Sequence, residues 1–144
     1  MSEERRSRRA TGPELVVIWW RDIPAQVNAQ LGRERHQVLL PDRFQRAIDR
    51  ARRKARIDTA QDDVAQWRRD SRACGSDLAS EAAAEVARLV EAFPADRLGR
   101  IAYVGGVERD DLDADTVADA AAETARDDAE DEAAAVATPG NAPT

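Results

Sequence analysis

Cysteine, histidine and lysine are nearly missing: the 144-residue chain holds one of each, Cys74, His36 and Lys54. A single cysteine forms no internal disulfide. It also excludes zinc sites that need two or more thiolates. A single histidine leaves no His–His pair for a transition metal. One Lys stands against 21 Arg, which reads as base composition rather than as recognition chemistry. Aromatic residues make up only 4%, so a core must come mostly from Ala, Val, Leu and Ile. No run reaches the roughly 18 apolar residues of a membrane span. The apolar stretch Leu15–Trp20 is shorter than a signal-peptide core of about 7–15 residues. A cytoplasmic chain with no membrane partner is the expectation. The acidic pairs Asp62-Asp63 and Asp110-Asp111 lack the glycine and terminal glutamate of a calcium loop. Gly105-Gly106 belongs to no phosphate-binding glycine motif. No metal, no cofactor and no catalytic residue is assigned from these patterns.

The charge is unevenly distributed. The net charge is −6, yet residues 1–72 hold 17 basic and 11 acidic residues, and residues 73–144 hold 5 and 17. The bulk figure is thus the difference between a basic half and an acidic half. Residues 1–13 read as a disordered tail. Residues 14–106 read as one domain. Residues 107–144, with 2 Arg against 12 Asp and Glu, read as a disordered acidic tail with too little apolar surface to offset its ordering entropy.

Within the domain, Glu14–Trp20 predicts a strand. Pro24 ends it, and Ala25–Gly32 reads as a short helical turn or loop. Arg33–Leu40 is a second strand candidate, paired with the first as a hairpin. Pro41 suits the first turn of a helix. Phe44, Ala47, Ile48, Ala51 and Ala55 then give that helix an apolar face. Asp58-Thr59 caps a second helix over about Ala60–Arg69, with Val64 and Trp67 as its buried pair. Ser76 or Asp77 caps a third, with Leu78, Ala82, Val86, Leu89, Val90 and Phe93 facing inward. Leu98–Val104 is a third strand candidate. The expected fold is α+β: a small two- or three-stranded sheet packed on three helices, with disordered termini.

Three groups of residues carry chemistry. The first is the strand end Trp20, Arg21, Asp22, Ile23, Pro24 and Gln26. Adjacent Trp19 and Trp20 point to opposite faces of a strand. An Arg–Asp pair at a strand end suits an interaction surface, or an anion clamp in a small enzyme with Asp22 or Cys74 as the reacting group. The plainer reading makes both Trp core and the pair a local ion pair. The second group is the helical stripe Arg43, Arg46, Arg50 and Arg53. It suits phosphate tracking on nucleic acid, a solvated face with partners Asp42 and Asp49, or a seat for the acidic tail. The third is Cys74, a weak redox candidate near a helix start. Base rates favour a half-buried turn residue there, and His36, its only available base, lies far off in sequence.

Trp20-Arg21-Asp22-Ile23-Pro24-Ala25-Gln26-Val27, Val38–Ala51 with its Leu40-Pro41-Asp42-Arg43-Phe44 start, and Trp67-Arg68-Arg69 together resemble the bacterial virulence-factor domain family. Its members are similar to the C-terminal part of conserved virulence factor C. The resemblance spans about Glu14–Phe93 and departs at Lys54-Ala55-Arg56-Ile57, where the family has a Lys-Ala-Gly-Leu type of turn. It implies no catalytic or cofactor residue. It implies an accessory role, near folate- and corrinoid-dependent one-carbon metabolism. The expected function is a non-catalytic cytoplasmic interaction or accessory protein with an unidentified protein partner. A small enzyme using Arg21 and Asp22 is the first alternative, and nucleic-acid binding by the Arg-rich helix is the second.

Overall fold

The computed structural model describes residues 12–137, the side chains of 131–137 excepted. Four strands form one antiparallel sheet in the order β3-β2-β1-β4. They are β1 (Glu14–Trp20), β2 (Ile23–Leu31), β3 (Glu34–Leu39) and β4 (Trp67–Ala73). Five helices accompany them: α1 (Asp42–Ala55), α2 (Ala60–Val64), α3 (Leu78–Ala92), α4 (Ala95–Tyr103) and α5 (Ala114–Ala137). The α+β class agrees with the sequence. The counts of strands and helices are higher than the expected two or three strands and three helices.

Each difference has a physical cause. Ala25–Gly32, expected as a short helical turn or loop, falls almost wholly in the inner strand β2, which runs Ile23–Leu31. Pro24 is tolerated there because the register slips from Ile18 opposite Gln26 to Trp19 opposite Pro24. Ala25 is the extra residue of a bulge, and a proline at a bulge costs no ladder hydrogen bond. The expected second helix stops at Val64, and Trp67–Ala73 is instead the edge strand β4. Val64, expected to be buried with Trp67, is 70% exposed. β4 carries Arg68, Arg69, Asp70 and Arg72, and charged side chains protect an open sheet edge from pairing with another chain. Leu98–Val104 falls within helix α4 rather than a strand. Its buried Leu98, Ile101 and Ala102 follow helical spacing.

The longest difference lies in the acidic segment. Ala114–Ala137 forms helix α5 and packs on α4. Ala120 is buried. Gly99 of α4 lies so close to α5 that a Cβ added there would come within 2.2 Å of Thr124 Oγ1. Small residues therefore replace large apolar ones in this contact. Residues 1–11 and 138–144, expected as disordered ends, lie outside the described residues.

By strand alternation, Leu15, Val17 and Trp19 share one face of the sheet with cross-strand neighbours Val27, Val38 and Ala29. Helix α3 packs on β2 and β3. It contributes Ala82, Leu89 and the following Phe93 to the core. Asp77, one of the two cap candidates in the sequence, caps α3, accepting from Ser80 N at 3.2 Å. One inward position was not foreseen: Glu85 is buried and accepts from Arg72 Nη2 at 2.8 Å and Arg88 Nε at 3.1 Å. Helix α1 buries Phe44, Ala47, Ile48 and Ala51, the expected face.

Candidate functional site

The strand-end motif divides into residues that build the fold and residues that meet solvent. Trp20, Ile23 and Pro24 are fully buried. The Trp20 indole donates to Asp63 Oδ1 at 2.9 Å. Arg21 adopts a positive φ of 50°, which costs a non-glycine residue about 1–2 kcal/mol. The conformation is fixed from several directions. Arg21 Nε donates to Gln66 Oε1 at 2.8 Å, and Nη1 donates to the Gly105 carbonyl at 2.8 Å. Its backbone N–H donates to the Gln66 carbonyl at 3.0 Å. The guanidinium also stacks 5.3 Å from the Trp20 ring centroid. Gly106 closes the arrangement. It has φ +98°, and a Cβ there would lie 2.7 Å from Trp20 Cζ3, so only glycine fits. Arg21 is thus a staple between β1, the α2–β4 link and the end of α4. Gln26 is half-buried on the sheet, 3.5 Å from its neighbour Gln37.

Trp19 and Asp22 face elsewhere. With Arg68, Phe93, Arg97, Glu108 and Asp110 they line an open groove of about 540 Å³. Trp19 and Phe93 meet edge to face with centroids 5.9 Å apart. Arg68 lies over Trp19 at 4.7 Å and Arg97 over Phe93 at 4.1 Å, distances at which cation–π attraction operates. Arg97 clamps Glu108 with two bonds of 2.7 and 2.8 Å, and this pairing holds the Glu108 carboxyl below the usual carboxylate range. Asp22 Oδ2 accepts the Glu108 backbone N–H at 2.7 Å. Asp110 has no hydrogen-bond or ion-pair partner among the described residues. The Trp19 indole nitrogen is buried without a hydrogen-bond partner. The floor is aromatic, the walls carry both signs of charge, and one carboxylate stands unpaired.

Residues 18–102 match the model of the family described as Virulence factor. The chain belongs to this family. The match spans β1 from Ile18 to Ala102 in α4, and so contains Trp19, Asp22, Arg68, Phe93 and Arg97 but neither Glu108, Asp110 nor helix α5. No curated protein matches the chain, and no solved structure does. At Lys54-Ala55-Arg56-Ile57, Arg56 takes φ +60°. Its N–H reaches Arg53 O at 3.1 Å and Ile57 N–H reaches Arg52 O at 3.0 Å. This pair of bonds ends a helix in a left-handed residue, usually glycine.

The arginine stripe does not share one surface with the motif. Arg43 Nη2 donates to the Val90 and Phe93 carbonyls at 3.1 and 3.2 Å, closing the end of α3. Arg46 pairs with Asp128 at 3.2 Å. Arg50 pairs with Asp127 at 3.3 Å, and Arg53 with Asp127 at 3.7 Å. Lys54 meets Glu123 at 2.8 Å. Of the readings weighed for this stripe, the structure displays the acidic segment seated on it. Asp49 pairs with Arg52 at 2.8 Å rather than with Arg53.

Cys74 is half-buried. Burial, with Glu81 beside it, pushes its thiol pKa up. His36 pairs across the sheet with Ala29, Ala29 with Leu15, and Leu15 with Arg72. Three steps of about 4.8 Å separate the two edge strands by about 14 Å, beyond hydrogen-bond reach. Cys74 follows the far edge strand, and no hydrogen bond joins it to His36 among the described residues. Among the described residues no group of three His, Cys, Asp or Glu side chains is placed to hold a metal ion. No helix there is long and apolar enough to cross a membrane.

The groove residues Arg68, Phe93, Arg97, Glu108 and Asp110 were not among the sequence candidates. Trp67-Arg68-Arg69 stands out as a motif, but the sequence pattern reads it as helix whereas it lies in strand β4. Nothing local in the sequence joins positions 19, 68, 97 and 110, because only the sheet order and the α3–α4 corner bring them together.

Proposed function

We propose that this chain is a non-catalytic accessory protein of the cytoplasm that docks a protein partner in the Trp19–Asp22–Arg68–Phe93–Arg97–Asp110 groove. One observation carries the reading. The buried half of the strand-end motif fixes the backbone, while Trp19 and Asp22 are left to line an open cleft beside an unpaired Asp110. Aromatic floors with charged rims are the pattern of interface anchors. Three carboxylates against two guanidinia favour a partner segment that offers a lysine or arginine. On the resemblance alone, that partner is assigned to folate- or corrinoid-dependent one-carbon metabolism.

The test compares affinity capture by the intact chain, by Asp110→Lys in the groove, and by Glu91→Lys on the exposed side of α3. A partner retained by the wild type and by Glu91→Lys, but lost with Asp110→Lys, supports the groove. Equal recovery by all three removes it.

A further inference from the structure

The second charged surface of the molecule lies apart from the groove, between α1 and α5. Arg46, Arg50 and Arg53 lie on one side of α1, one turn apart. Their guanidinia converge on the neighbouring carboxylates Asp127 and Asp128. Three features set this contact apart from an ordinary surface ion pair.

Arg50 is only 4% exposed. A guanidinium has five N–H donors, yet the described contacts of Arg50 amount to one bond of 3.3 Å to Asp127, and its Nε is buried with no partner. Buried charge is expensive unless fully hydrogen-bonded. A single carboxylate oxygen leaves this group under-satisfied. An oxyanion with three or four acceptor oxygens would serve it better.

Open space adjoins the contact. A pocket of about 290 Å³ is lined by Arg46, Asp49, Arg53, Asp127 and Glu130. A water takes about 30 Å³ of liquid volume, so a phosphoryl group with its hydration fits. Arg53 is 68% exposed and lines this space. Of the acids at the rim, Asp49 is already held by Arg52 and Gln45.

The cover itself is lightly attached. Of residues 114–130 only Ala120 is buried. The others in that span are half-buried or exposed, held by the packing of α5 on α4 and by side-chain charges. Segments with few buried apolar contacts open at low cost.

We propose that Arg46, Arg50 and Arg53 form a binding site for phosphoryl oxyanions, and that Asp127 and Asp128 of α5 occupy it as internal stand-ins. A phosphate-bearing ligand enters as α5 swings away. Its apparent affinity is then the intrinsic one reduced by the fraction of molecules with the site uncovered. This proposal is independent of the groove and of the partner docked there.

The experiment uses the full chain and the full-chain variant Asp127→Asn/Asp128→Asn, with α5 content followed by circular dichroism. Two probes separate the source of the phosphoryl group: inorganic tripolyphosphate by calorimetry, and a single-stranded oligonucleotide of about 15 nucleotides by fluorescence anisotropy. The expected result is an affinity about tenfold or more higher in the variant for at least one probe. Adding Arg53→Gln, at an exposed position that the core does not need, should then reverse most of the gain. Tripolyphosphate binding alone assigns a small phosphorylated ligand. Oligonucleotide binding alone, or far the tighter, assigns a strand. A matched charge change elsewhere, Glu34→Gln/Glu91→Gln, should leave both affinities at the wild-type level. Binding of neither probe by the Asp127→Asn/Asp128→Asn variant overturns the proposal. So does a gain that the matched control reproduces, or one that Arg53→Gln leaves untouched.

Discussion

The Trp20 indole donates its hydrogen to the Asp63 carboxylate across 2.9 Å, between residues 43 positions apart. Asp63 also accepts from the Trp67 indole at 3.0 Å and from Arg52 Nε at 2.6 Å. One carboxylate therefore joins β1, α1 and β4 at the end of the core. The Arg52 hydrogen bond, supported by the two indoles, lowers its pKa from 3.8 to about 2.

A group with a lowered folded pKa stabilises the fold above its unfolded value and loses that contribution as pH falls toward the folded one. For Asp63 the window runs from just above pH 3.8 down to about 2. A shift of this size corresponds to about 2 kcal/mol after allowance for partial exposure. Asp63→Asn should lower the unfolding free energy measured by urea titration at pH 7 by about that amount. The gap between variant and wild type should shrink as pH drops through the window. A gap independent of pH would show that the carboxylate charge is not what matters.

The two non-glycine residues with positive φ should respond oppositely to glycine. Arg56 ends α1 in the left-handed conformation, and its side chain makes no hydrogen bond or ion pair among the described residues, so Arg56→Gly relieves strain of about 1 kcal/mol. Part of this is offset by the greater entropy of the unfolded chain. A higher melting temperature is expected. Arg21→Gly relieves the same strain but removes the bonds to Gln66 and Gly105. A net loss of about 1–3 kcal/mol should follow. Thermal unfolding of both variants side by side decides it, and stabilisation by Arg21→Gly would refute the staple.

Gly99→Ala should loosen α5 without changing any charge. The new methyl would collide with Thr124 Oγ1 at 2.2 Å. Amide exchange across residues 114–130 should speed up while exchange in β1 and β2 stays slow. Thr124→Ala should partly restore protection in the double variant, because it removes the atom that collides. Unchanged exchange in Gly99→Ala would mean that α5 is not seated on α4 through this contact.

Cys74 should react slowly with a thiol-directed reagent at neutral pH. Burial and the nearby Glu81 carboxylate both raise its pKa, and only the thiolate attacks. Glu81→Gln should quicken the reaction. A rate above that of a free model thiol would reopen the redox role considered for this residue.

The sequence was most informative where pattern and environment agree. Glu14–Trp20, the Phe44–Ala51 face and the Asp77 cap all follow from periodicity and end chemistry. It failed where packing overrides pattern. Pro24 reads as a strand terminator until the bulge at Ala25 is known. β4 is nearly all polar, since an edge strand needs no apolar face of its own. Leu98–Val104 is too short to reveal its period. Helix α5 was hidden because its partner surface is a glycine rather than an apolar cleft. At the site, the motif was visible but the division of labour within it was not. Which of two adjacent tryptophans is core depends on the Asp63 and Gly106 contacts, both remote in sequence.

Helix α5 is fastened largely by exposed pairs, with Lys54–Glu123, Arg46–Asp128 and Arg53–Asp127 each open to water on at least one side. Such pairs fade as mobile ions accumulate, since the Debye length falls from about 10 Å at 0.1 M to about 3 Å at 1 M. Gly99 and Thr124 add steric fit that salt does not weaken. The acidic helix is therefore a spring whose stiffness is set by ionic strength: tight in dilute solution and slack in brine.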